Sequence, residues 1–122
     1  FHIHASATGK AILAELPEEQ VTEIIDKNSL LEETEHTITD PERLRDELEV
    51  TRERGYAIID QEWLEGLRSV AVAVLLPNGS PFGALSVGGP TYRLTRKEIK
   101  SNIEPKLNEI ADELSKDIKR VF

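Results

Sequence analysis

With 122 residues, 39% hydrophobic and 31% charged, the chain is long enough to bury one self-supporting core and too apolar for a disordered tail. A formal charge of −8 repels a phosphate backbone, so this segment is not expected to hold DNA by itself. The lack of cysteine excludes disulfides, thiolate zinc sites and cysteine nucleophiles, and no run approaches the roughly 18 apolar residues that cross a bilayer.

No repeat or long linker divides the sequence, and a single α+β domain over residues 1–122 is expected. The opening Phe1-His2-Ile3-His4 has neither a methionine nor the basic-then-apolar order of a signal peptide. It reads as the start of an excised piece of a cytoplasmic protein, with strands missing upstream. Gly9 to Leu16 then forms a compact helical run stopped by Pro17, and Val21, Ile24 and Ile25 supply the stripe of a second short helix. After a polar, acidic stretch, Thr39-Asp40-Pro41-Glu42 offers a capping residue, a proline at the first helical position and a capping-box glutamate. Leu44, Leu48 and Thr51 mark the inner face of that helix, and Gly55 stands where a left-handed C-terminal cap belongs.

Tyr56 to Asp60 reads as a strand, and Leu67 to Leu76 as a longer one whose continuous Val/Ala/Leu run implies burial on both faces. Asn78-Gly79 is a strong hairpin signal, with Pro81 to Gly88 the returning strand. Thr95 and Glu98 form a second capping box. Ile99, Ile103, Leu107, Ile110, Leu114, Ile118 and Val121 then lay a long helix on the sheet, bent at Pro105.

A two-residue turn at Asn78-Gly79 places Ser69 opposite Gly88, Ala71 opposite Ser86 and Ala73 opposite Ala84, so one face of the hairpin carries only small side chains. The other face pairs Val70 with Val87 and Val72 with Leu85. A close-packed interior leaves no such volume empty, so either a helix presses onto the small face or a small molecule fills it. Ser6-Ala7-Thr8-Gly9 leads straight into the first helix, where free N–H groups and the helix dipole favour an anion such as a carboxylate. The plainer reading is that Ser6 or Thr8 caps the helix.

Catalysis would have to use Ser6 or Ser86 with His2, His4 or His36, and no nucleophile elbow or phosphate loop accompanies them, so an enzyme is not expected. His2 and His4 would point the same way on a strand and could join Asp60 or Glu62 around a metal, but two histidines do not make a site, and no metal or other cofactor is expected. Trp63 is the sole tryptophan, suited to a lid over a pocket or to an anchor between subunits.

Several collinear segments resemble the effector-binding domain of the IclR family of transcriptional regulators over nearly the whole chain. They are His4 to Ala14, Arg54-Gly55-Tyr56-Ala57, Asp60-Gln61-Glu62, Glu65 to Ala71, Ala84 to Pro90 and Arg93-Leu94-Thr95. The resemblance implies a GAF-like fold, an antiparallel sheet flanked by helices, in a dimeric or tetrameric regulator whose winged helix-turn-helix, its contact with DNA, is absent here. It implies an effector site at Ala7, Thr8, Gly9, Ile59, Asp60, Ser69, Ser86 and Gly88. Ile59 stands where the family commonly has an aspartate and Gly88 where it commonly has a serine. The pocket is therefore expected to be less polar and to take a larger or more apolar organic acid, an aromatic acid among them. Asp60, Glu62 and Arg68 match recurrent charged positions and are expected to form a salt-bridge network. The rival reading of the whole chain is an oligomerisation scaffold with no ligand.

Overall fold

A computed structural model describes residues 3–121. A 3₁₀ turn at Ile3–Ala5 leads into α1 (Ala7–Ala14), followed by α2 (Glu18–Lys27) and α3 (Pro41–Arg54). Strands β1 (Ala57–Asp60), β2 (Leu67–Leu75) and β3 (Pro81–Pro90) come next. The chain ends in α4 (Arg96–Glu98), a π-helical turn (Ile99–Ile103) and α5 (Glu104–Val121).

The strands form one antiparallel sheet in the order β1-β2-β3. The hairpin pairs Ser69–Gly88, Ala71–Ser86 and Ala73–Ala84 are those the sequence predicts, and β1 adds Ile59 opposite Ser69 and Ala57 opposite Ala71. The turn itself differs from the expectation. Leu76 N–H donates to the Ser80 carbonyl, so the loop is Pro77-Asn78-Gly79, one residue longer, with Gly79 at φ 89°. A register shift between Val74 and Leu75 absorbs the extra residue and restores the pairing further in.

Each face of the sheet has its own core. Ile58, Val70, Val72 and Val74 pack against Leu94 of the turn after β3 and against Ile99, Leu107 and Ala111 of the C-terminal helical segment. On the opposite face, Ala57, Ile59, Ala71 and Ala84 meet Ala7 and Ala11 of α1. Small residues on both sides let the helix lie close to the strands. A third cluster, with Leu13, Val21, Ile25, Leu44 and Leu48, fastens α1, α2 and α3 together.

The helix ends follow local chemistry, with two corrections. Asp40 caps α3 and accepts from Glu42 N–H at 3.3 Å. Glu42 is thus too early to close a capping box and pairs with Arg45 instead. Thr95 does cap α4, accepting from Glu98 N–H at 3.1 Å, but the Glu98 carboxylate receives Asn102. At the other end of α3, Gly55 takes φ 90°, the left-handed cap expected of it. The bend expected at Pro105 is a π-helical turn just before it. Proline has no N–H to donate and its ring crowds the carbonyl one turn back, so the ladder loosens to i→i+5, with Glu104 N–H on the Ile99 carbonyl.

Candidate functional site

The small-residue face of the sheet is only partly covered. α1 lies over Ala57, Ala71 and Ala84, and beside its N-terminal turn a cavity of about 450 Å³ stays open. Its walls are Ala5, Ser6, Ala7 and Thr8 from the start of α1, Ile59, Ser69 and Ser86 from the sheet, and Trp63 and Leu67. The choice between helix packing and a hollow thus resolves into both, side by side.

Polar groups in this cavity are few and specific. Ser6 caps α1, its Oγ accepting from Gly9 N–H at 3.0 Å, which is the plainer of the two readings of this loop. Ala7 and Thr8 stand in the first turn, whose N–H groups have no carbonyl acceptor within the helix and sit at the positive end of its dipole. Among the described residues neither the Ser69 nor the Ser86 hydroxyl has a hydrogen-bond partner. First-turn residues of α1 and the two serines of the sheet share the lining with Ile59, Leu67 and Trp63, which supply apolar surface. Such a hollow suits a molecule with one anionic group and an apolar body.

Of the residues assigned to a site from the sequence, Ala7, Thr8, Ile59, Ser69 and Ser86 line the cavity. Gly9, Asp60 and Gly88 are not among its walls. Gly9 packs instead against the 3₁₀ turn, where an added Cβ would meet the Ile3 carbonyl oxygen at 2.3 Å. Gly88 lies across from Ser69. Asp60 binds Arg68 at 3.1 Å and Arg96 at 3.0 Å. Burial works to raise the Asp60 pKa, but the hydrogen bonds and charges of the two arginines prevail and hold it below the usual carboxylate range. The expected salt-bridge network thus forms between Asp60 and Arg68, with Arg96 added, whereas Glu62 stands outside it in a separate ion pair with Lys10 at 2.8 Å.

Leu67 and Ala5 are absent from the sequence-based assignment, and Trp63 enters it only as a lid over a pocket or an anchor between subunits. Leu67 shares the face of Ser69 by strand alternation, so that signal was available. Trp63 and Ala5 reach the cavity from a loop and a 3₁₀ turn, where no periodicity operates.

A second hollow of about 310 Å³ opens between α1, α2 and α3. Its arginines are already engaged, Arg52 by the Ala14 and Leu16 carbonyls and Arg45 by Glu42 and Thr22. The histidine-based metal arrangement does not form among the described residues. His4 lies in the 3₁₀ turn, not on a strand, with Nε2 at 2.8 Å from the Leu31 carbonyl, and His2 is outside the described residues. Glu35, His36 and Glu65 bring donor atoms within 4.8 Å of one another, all three exposed on the surface.

Residues 1–116 match the family model described as "Bacterial transcriptional regulator IclR C-terminal". The chain belongs to this family. As a member of the IclR C-terminal family it is 44% identical to the acetate operon repressor of Salmonella typhimurium over 76% of its own length and 34% of that protein's. Its backbone superposes on the crystal structure of the Thermotoga maritima IclR with a TM-score of 0.91 at 34% identity, covering 96% of this chain and 47% of that one. The inducer-binding domain of the Acinetobacter transcription factor PobR, solved as a double mutant with 3-hydroxybenzoic acid, gives 0.87 at 32% identity, over 93% of this chain and 65% of that one. The chain thus spans about a third of the repressor and about half of the longer solved chain. The acetate operon repressor and the Escherichia coli repressors IclR and AllR, all among its relatives, are transcriptional repressors, not enzymes. Among the described residues no helix is long and apolar enough to cross a membrane.

Proposed function

We propose that residues 1–122 form a single effector-binding domain that senses an organic acid with an apolar, preferably aromatic, body in the cavity beside α1. The acid's carboxylate is placed on the Ala7 and Thr8 amides, its polar substituents on Ser69 and Ser86, and its body against Ile59, Leu67 and Trp63. The observation that carries this reading is the cavity itself, which combines the first-turn residues Ala7 and Thr8 with an apolar lining and has no charged residue among its walls. An inducer-binding domain of similar fold that holds 3-hydroxybenzoic acid supports it.

In this reading the domain acts in the cytoplasm, within a dimeric or tetrameric regulator, and reaches DNA only through a separate DNA-binding segment. The charge of −8 supports that division of labour, since an acidic domain gains nothing from counterion release. The effector alters operator affinity to the extent that it prefers one conformational or oligomeric state over another.

Thermal unfolding against a panel of acids tests the ligand class. Benzoate, hydroxybenzoates and phenylacetate are expected to raise the melting temperature in a saturable way, whereas glyoxylate, pyruvate and acetate leave it unchanged. Stabilisation by the two- and three-carbon acids alone would contradict the reading.

A further inference from the structure

Among the described residues the most buried charge is carried by α1, the helix whose first turn lines this cavity. Lys10 is on α1, on the helix that presents Ala7 and Thr8, and its side chain is 0% exposed. Its ammonium reaches Glu62 Oε1 at 2.8 Å, the Ile58 carbonyl at 3.4 Å and Glu47 at 3.9 Å. Glu62 is itself buried, and its other carboxylate oxygen accepts from Asp60 N–H at 3.2 Å. A buried ion pair recovers little net stability, because desolvation cancels most of the attraction, yet its geometry is directional and holds two elements in one relation.

The element held is the segment 61–66. Thr34 Oγ1 donates to the Gln61 carbonyl at 2.6 Å and Thr37 Oγ1 donates to the Glu62 carbonyl. Gln61 takes φ 61°, a left-handed conformation that a non-glycine residue keeps only when its surroundings enforce it. Trp63 follows immediately. Its indole lines the cavity and is 49% exposed, so its placement depends on the backbone that carries it.

We propose that Lys10 and Glu62 are positioning residues for the effector cavity: their buried pair fixes Trp63 relative to the N-terminal turn of α1 and so sets the width of the slot in which the body of the ligand lies. The proposal rests on the reading of this cavity as an effector site. It assigns the choice between flat and bulky acids to two residues that touch no ligand.

Trp63 is the only tryptophan, so its fluorescence reports its own position without a ligand. Acrylamide quenching and emission maximum are compared in the parent chain, Glu62→Gln, Lys10→Met and the apolar double variant Lys10→Met/Glu62→Met, with far-UV circular dichroism to establish folding. The expected result is a rise of about two-fold in the quenching constant, with a red shift, in each folded variant, because the segment gains motion. The double variant is the decisive one. It replaces the pair by packed apolar groups and relieves the unpaired charge, so a purely structural role predicts recovered stability with Trp63 unmoved. Unchanged quenching in any folded variant overturns the proposal, and so does loss of folding in all three, which would make the pair a structural element only. Since no ligand enters the measurement, its failure leaves the effector reading standing, and a negative acid panel does not alter it.

Discussion

Gly9 shows how far a single residue can be read. Its place beside Ala7 and Thr8 assigns it to the anion loop, but the space around it gives a different reason for glycine. A methyl group there would lie 2.3 Å from the Ile3 carbonyl oxygen and 2.6 Å from Ser6 Oγ. Gly9→Ala is expected to destabilise the domain by about 1–3 kcal/mol through overpacking, measured by urea unfolding. Asp60 is the second case. Its pKa is depressed below the ordinary 3.8, so just under that value the unfolded chain binds more protons than the folded one. The stability it contributes is present at pH values above the unfolded-state value of 3.8 and disappears as the pH falls through the folded-state value. Asp60→Asn is expected to cost about 1 kcal/mol at neutral pH and to flatten the acid limb of a stability-against-pH curve. A mutant curve parallel to the parent's would refute this. Ser69 and Ser86 could be placed on the small-residue face from hairpin register alone. The partner of Lys10 could not, since Glu62 is 52 positions away and meets it only once α1 lies on the sheet.

Among the elements, α3 was the most legible, because both of its ends are marked by residues with one physical reason to be there. Proline fixes φ at the first helical position, and Gly55 occupies φ 90°. Gly55→Ala is expected to lower stability by about 1 kcal/mol, and Asp40→Ala by a similar amount, in thermal or urea melts. The hairpin was legible except at its tip, where a three-residue loop and a compensating bulge give the same inner pairing that a two-residue turn would. The long C-terminal helix was read less well. Counting large apolar residues selects Ile110 and Leu114, which are 39% and 37% exposed, whereas the buried line runs through Leu107 and Ala111, and Ser115 bonds the Leu75 amide. Small residues carry the contact because they allow a close approach, and hydrophobic counting undervalues them.

For the whole molecule, the alternation of elements and the small-residue face made the layered arrangement predictable, with helices on both sides of an antiparallel sheet. The size and openness of the cavity were not, because they depend on where α1 ends and where Trp63 comes to rest. The net charge of −8 gives a prediction at this scale: the isolated domain should show no measurable affinity for duplex DNA at physiological salt in a fluorescence anisotropy titration. The central claim is that the cavity binds an acid through α1 amides and the Ser86 side of the sheet. Isothermal titration of the most stabilising acid in the panel, beside its uncharged amide, tests this, using the parent chain and Ser86→Leu, a substitution at an exposed position whose folding is checked by circular dichroism. Saturable binding of the acid, at least about ten-fold weaker binding of the amide and no detectable binding to Ser86→Leu are expected. Equal affinity for acid and amide, or undiminished binding by Ser86→Leu, would contradict that claim.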